Sequence, residues 1–312
     1  MGSAPGHFSD RLAESILRRR SVVCVGLDPM LEHLPPELLE RWRARVPELG
    51  DEAAVAGCFS EFCRGVVAAV TEVAACVKPQ AAFFEQYGAP GWQALAEVVR
   101  SAHEHELPVI LDVKRGDIAS TGVAYARAAF GGAPGLTAPV GGLDADAVTV
   151  SPYLGDDSLE PFVAATAEGR GVFVLTRTSN PGAATLQEQE TGGRALYLHV
   201  AELVARLGAA STGRYGYSDV GAVAGATAPA SLRAVRDVLP RAFILVPGYG
   251  AQGGDAVALR GIAQGAAAGF VVNASRSVIY AWRETGAEYR AAAAAAAEAM
   301  RDELGSWGRG DG

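Results

Sequence analysis

The chain has 312 residues, 49% apolar and 20% charged, with a formal net charge of −8. This excludes a disordered chain or a disulfide-stapled mini-protein and argues against a surface built to coat nucleic acid. No apolar run is read as long enough to span a membrane and the first ten residues lack a secretory core, so a cytoplasmic protein without membrane or nucleic-acid partners is expected.

The Arg18–Arg20 triplet reads as the solvated end of a first helix. Beyond it, short Val/Ile-rich runs recur along the chain, each followed by a Gly/Pro/Asp loop and a helical pattern. They number eight: residues 22–27, 73–78, 109–113, 147–151, 171–176, 220–224, 243–246 and 269–273. Nearly continuous apolar strands separated by helices imply a parallel sheet covered on both faces. Eight such units predict an α/β fold, the (β/α)8 TIM barrel, as a single domain over 1–312 with its core at about 22–281. The excess over a minimal barrel falls in insertions at 31–72, 131–142 and 177–219. Residues 282–312 form a C-terminal helix and tail, with seven alanines at 291–297. Cys24 and Cys76 read as small buried hydrophobes, and His103 and His105 as part of a polar turn, so no metal site is expected.

In such a barrel the reacting groups project from the C-terminal strand ends. Strand one ends in Asp28, strand two in Lys78, and strand three in Asp112-Val-Lys114-Arg-Gly-Asp117. Strand periodicity puts Asp112 and Lys114 on one face. Lys78 and Lys114 are the only lysines among 27 cationic residues. Where arginine has replaced lysine everywhere else, the two survivors at adjacent strand ends mark positions that need an ammonium. Flanking carboxylates should keep Lys114 charged and able to donate a proton, and should keep Asp112 ionised.

After strand five, Thr176-Arg-Thr-Ser179-Asn-Pro-Gly offers hydroxyls and an amide; an ordinary turn would use the same residues. After strand seven, Pro247-Gly-Tyr-Gly-Ala-Gln252-Gly-Gly contains G-x-G-x-x-G, but too late in the chain for a dinucleotide fold. A backbone-donor loop for one phosphate fits better, with Ser275-Arg276 beside it after strand eight. Alone, these residues suggest lyase or proton-transfer chemistry on a phosphorylated small molecule.

The motifs LDVKRGDIAST, VGLDP, VKPQAAFFEQYG, LTRTSNPGA, VPGYGAQGG and NASRSVIY together resemble the orotidine 5′-phosphate decarboxylase family, in its longer bacterial branch. The resemblance implies cofactor-independent decarboxylation of orotidine 5′-monophosphate to uridine 5′-monophosphate and CO2 in pyrimidine biosynthesis. Lys114 would protonate C6, with Asp112 beside the departing carboxylate, and Asp28 and Lys78 would contact ribose hydroxyls. Ser179 would bind the pyrimidine, Pro247 would pack on it, Gln252 would bridge base and phosphate, and Ser275 and Arg276 would hold the phosphate. Asp117, with Ile118 and Thr121, would reach a partner's site in an obligate homodimer. Shorter members carry Gly-Arg where this chain has Ser275-Arg276. Two alternatives compete: a magnesium-dependent sugar-phosphate aldolase or decarboxylase on the same scaffold, and a catalytically silent phosphate-binding barrel.

Overall fold

The structure, a computed structural model, describes residues 6–249, 256–305 and 307. Its strands are β1 (Val23–Leu27), β2 (Cys76–Pro79), β3 (Ile110–Arg115), β4 (Ala147–Val150), β5 (Gly171–Arg177), β6 (Glu190–Thr191), β7 (Arg194–Ala195), β8 (Ser218–Ala224), β9 (Ala242–Val246) and β10 (Phe270–Ala274). All but β6 and β7 form one parallel sheet in the order β2-β1-β10-β9-β8-β5-β4-β3. Its two edges meet through the bridges Val77–Val109 and Gln80–Asp112, which close the ring. The expected TIM barrel is therefore the fold, and closure removes the exposed strand edges.

The second strand starts later than expected: residues 73 and 74 turn off the helix Asp51–Val70, whose Val70 carbonyl accepts from Ala74 N at 2.8 Å. Both are buried, so the apolar run there records burial rather than strand pairing. The insertion at 31–72 is helical, ending in Asp51–Val70. That helix has 20 residues and a window of mean hydropathy 1.5, so one segment does pass the length and composition test for a span. It packs on the helices Gly88–Glu104 and Tyr289–Leu304, with 61% of the window buried inside the fold. A core helix meets the same test by packing against neighbours.

The first helix, Phe8–Arg19, crosses the N-terminal end of the barrel. Ser9 N donates to Asp219 Oδ1 at 2.8 Å, Ser9 Oγ to Tyr217 O at 2.9 Å, and Ser15 Oγ to Ala75 O at 2.5 Å. Phe8 meets Phe173 edge to face at 5.9 Å, in a space that only a glycine at 171 leaves open. Arg19 departs from the expected solvated end: it is 8% exposed and donates to Thr71 O at 2.5 Å and Ser15 Oγ at 2.9 Å. With this end plugged, the opposite rim is left for chemistry.

Candidate active site

The C-terminal ends of β2, β3 and β4 converge on one carboxylate. Lys78 Nζ donates to Asp112 Oδ2 at 2.7 Å, and Lys114 Nζ to Asp112 Oδ1 at 2.6 Å. Two further donors complete the shell: Gln80 Nε2 to Oδ2 at 3.0 Å and Thr149 Oγ1 to Oδ1 at 2.8 Å. Asp112 and Lys78 are each 5% exposed, whereas the Lys114 side chain is 46% exposed toward the mouth. The charge array is thus a buried ion pair with a second ammonium reaching outward.

Burial opposes both buried charges, and pairing overrides it. Burial raises the Asp112 pKa, but the ammonium groups of Lys78 and then Lys114, with their hydrogen bonds, hold it far below the usual carboxylate range. Burial likewise disfavours the Lys78 ammonium, yet the Asp112 carboxylate, followed by Asp28, lifts its pKa above the ordinary lysine value. Asp112 stays ionised, as the sequence indicates.

Lys114 reaches its position at a backbone cost. Its φ is 46°, in the left-handed region that side chains other than glycine seldom adopt. It lies where the β3–β4 register shifts between Leu111 and Arg115. The bulge still leaves Asp112 and Lys114 on one face, and the Thr149 hydroxyl accepts Lys114 N–H at 3.0 Å. Strain of this kind, of order 1–3 kcal/mol, persists where surrounding contacts enforce it.

A cavity of about 420 Å³ opens above the array, lined by Lys78, Asp112, Lys114, Thr149, Leu175, Thr178, Ser179, Asn180, Gln187, Val223, Leu245 and Pro247. Of the expected binding residues, Ser179 and Pro247 line it, and they stand across from the lysines. Asp28 does not line it, but its Oδ1 is buried without a hydrogen-bond partner among the described residues. Its carbonyl accepts from Tyr280 Oη at 2.9 Å, and that hydroxyl accepts Met30 N–H at 2.7 Å, which pins the loop after β1.

Ser275 is not part of the lining either: its hydroxyl sits over Gly26, where a Cβ would come within 1.9 Å, and accepts from Asn273 Nδ2 at 3.4 Å. Glycine on β1 therefore makes room for this serine. Arg276 is exposed and makes no ion pair among the described residues. Gln252, with most of the glycine-rich loop, lies outside the described residues. Asp117, Ile118 and Thr121 stand off the cavity; Asp117 Oδ1 accepts Ile118 N–H at 2.8 Å and Ile118 is 61% exposed.

The sequence reading missed Gln80, Thr149 and Gln187. Thr149 looked like an ordinary β-branched strand residue, and Gln187 lies in the long connection after β5. The signal available for Gln80 was its place two residues beyond Lys78, on the same strand face.

The sequence matches the family described as orotidine 5′-phosphate decarboxylase / HUMPS over residues 21–292. The chain belongs to that family. An orotidine 5′-phosphate decarboxylase of Rhodopirellula baltica is 47% identical over 275 residues, 88% of each chain. Another from Haloarcula marismortui is 43% identical over 88% of this chain and 87% of its own. Among solved structures, Leishmania donovani OMP decarboxylase superposes with a TM-score of 0.71 at 35% identity, covering 96% of this chain and 97% of the other. Leishmania donovani UMP synthase gives 0.73 at 37% identity, and this chain spans 56% of that longer one. With these relatives, the chain is a carboxy-lyase of the pyrimidine-biosynthetic decarboxylase family.

Proposed function

We propose that the chain decarboxylates orotidine 5′-monophosphate to uridine 5′-monophosphate without a cofactor, with Lys114 as the proton donor. The observation that carries this reading is the single carboxylate held between two ammonium groups at the floor of the cavity. When the bond from C6 to the carboxylate breaks, the electron pair stays on C6 and CO2 leaves. A fixed ammonium stabilises that developing charge and then transfers its proton from Nζ to C6. Solvent can restore the proton, because Lys114 is half exposed. Asp112, kept ionised, faces the substrate carboxylate and repels it in the ground state. The orphaned oxygen of Asp28 suits a ribose hydroxyl, and the lining amides and hydroxyls opposite suit a pyrimidine. Arg276 and Ser275 are assigned to the phosphate, and Gln252 to the bridge between base and phosphate.

The enzyme acts as a cytoplasmic homodimer in this reading, with Asp117 completing the partner's site. Exposed apolar side chains beside Asp117 support it: Ile118 at 61%, Tyr153 at 77% and Leu154 at 49% exposure.

The test is spectrophotometric turnover of orotidine 5′-monophosphate in the presence of chelator. Wild type should turn over, whereas Lys114→Ala and Lys114→Arg should lose at least about a thousandfold in kcat, a guanidinium being too weak an acid to replace the donor. Undiminished turnover in Lys114→Ala would sink the assignment, and strict magnesium dependence would favour the aldolase-like alternative.

A further inference from the structure

Ser179 is one residue of a three-residue stretch whose neighbours are gripped by a segment far along the insertion. The long connection after β5 runs through the 3-10 turn Pro181–Thr185 and comes back at Gln187 and Glu188. There Gln187 Oε1 accepts Thr178 N–H at 2.8 Å, while its Nε2 donates to Thr178 Oγ1 at 2.9 Å. The Thr178 hydroxyl in turn donates to Asn180 Oδ1 at 2.6 Å. The relay has one direction: amide to hydroxyl to amide. The Thr178 hydroxyl also lies 3.3 Å from Gln187 Oε1, but its single proton goes to the nearer Asn180 Oδ1, so Gln187 presents its NH2 to Thr178.

Glu188 adds a second grip on the same strand end. Its Oε1 accepts from Arg177 Nη2 at 2.6 Å and Nε at 3.0 Å, and Arg177 Nη1 bonds the Thr178 carbonyl. Behind the stretch, Gly225 lets the Ser179 backbone approach; a Cβ there would lie 2.7 Å from Ser179 Cα. Thr227 Oγ1 donates to Ser179 O at 3.2 Å. The Ser179 hydroxyl itself has no hydrogen-bond partner among the described residues. Both residues flanking Ser179 are thus bonded by side chain, its own backbone is backed by β8, and its hydroxyl remains for the cavity.

Gln187 is anchored well enough to serve as a fixed point. Its N–H donates to Ala183 O at 2.8 Å and its carbonyl accepts Tyr197 N–H at 2.9 Å, tying it to the helix Leu196–Gly208. We propose that Gln187 is a positioning residue that acts through Thr178 to set the Ser179 hydroxyl for recognition of the pyrimidine ring. This rests on the decarboxylase reading above. In a barrel whose chemistry lies on β2–β4, the insertion after β5 then serves substrate selection.

The experiment is a double-mutant cycle in steady-state turnover of orotidine 5′-monophosphate, using Gln187→Leu, Ser179→Ala and the double variant. Gln187→Leu should lower kcat/KM by about tenfold in the wild-type background, and by less than about twofold when Ser179 is already alanine. Inhibition by ribose 5-phosphate, which lacks the ring, should be unchanged. Gln187→Glu, which keeps the acceptor for Thr178 N–H but loses the donor, should resemble Gln187→Leu and guards against a folding failure in either variant. Equal losses in both Ser179 backgrounds, or an equal loss of ribose 5-phosphate binding, would overturn the proposal, as would full activity of Gln187→Leu. Wild-type protein inert toward orotidine 5′-monophosphate would instead overturn the decarboxylase reading on which it rests.

Discussion

Thr149 carries two duties with one hydroxyl: it accepts from Lys114 N at 3.0 Å and donates to Asp112 Oδ1 at 2.8 Å. It therefore holds both the strained backbone of the proton donor and the carboxylate that the donor pairs with. Thr149→Val keeps the shape but removes both bonds, leaving a peptide N–H unsatisfied at a position of positive φ. We expect kcat to fall by about tenfold, a cost of one or two hydrogen bonds, while Thr149→Ser retains most activity. A thermal melt beside the kinetics separates the two roles: full loss of folding, rather than of kcat, would refute a positioning role. The buried Lys78–Asp112 pair should be insensitive to pH across the working range. The stability Asp112 contributes is present above the unfolded carboxylate value of about 3.9 and lost only as pH falls through its depressed folded value. That from Lys78 is present below about 10.4 and lost as pH rises through its elevated folded value.

Among the elements, the N-terminal end of the barrel is held by Asp146, just before β4. It accepts from His103 Nε2 at 3.0 Å, Val109 N at 2.9 Å and Arg11 Nη2 at 2.8 Å, joining the first helix, the helix Gly88–Glu104 and the start of β3. The hydrogen bond to Asp146 raises the His103 pKa against the opposing effect of burial. Its contribution is therefore fully present below the unfolded value of about 6.5 and disappears as pH rises through the higher folded value. His103→Gln should show a larger deficit in melting temperature at about pH 5.5 than at about pH 8.5, and equal deficits would mean the staple does not depend on protonation. The sequence marked His103 only as part of a polar turn, because its partner lies 43 residues away. The eight strands were legible, since burial on both faces leaves nearly unbroken apolar runs. The hairpin of β6 and β7 was not: its two-residue strands are mostly polar, and the available signal was Gly192-Gly193, both at positive φ as a tight hairpin turn requires. Asp112, Lys114 and Lys78 were readable because charges at buried strand ends are conspicuous. Thr149 and Gln187 became visible only when folding placed them beside Asp112 and Thr178.

For the whole molecule, the decisive question is whether one chain makes a complete site. Asp117 follows Lys114 by three residues, yet it does not line the cavity, and its carboxylate accepts from Ile118 N–H. It lies on the same rim as the exposed Ile118, Tyr153 and Leu154, which extend from the ends of β3 and β4. A two-fold dimer through that face would be self-complementary, each chain giving its Asp117 to the cavity that contains the other's Lys114. The arrangement predicts complementation. Lys114→Ala and Asp117→Ala should each be inactive alone, because every site in either homodimer lacks one group. In a mixed dimer, one site carries both defects and the other carries none. Equal mixing with random exchange makes half the dimers mixed, so about a quarter of wild-type activity per site should return. Sedimentation under the same conditions would show a dimer throughout. Recovery depends on subunit exchange, so it should rise with incubation time and vanish when the chains are mixed only at the moment of assay. No recovery after exchange verified by labelled subunits would place Asp117 in its own chain's site, and the apolar rim would then need another explanation.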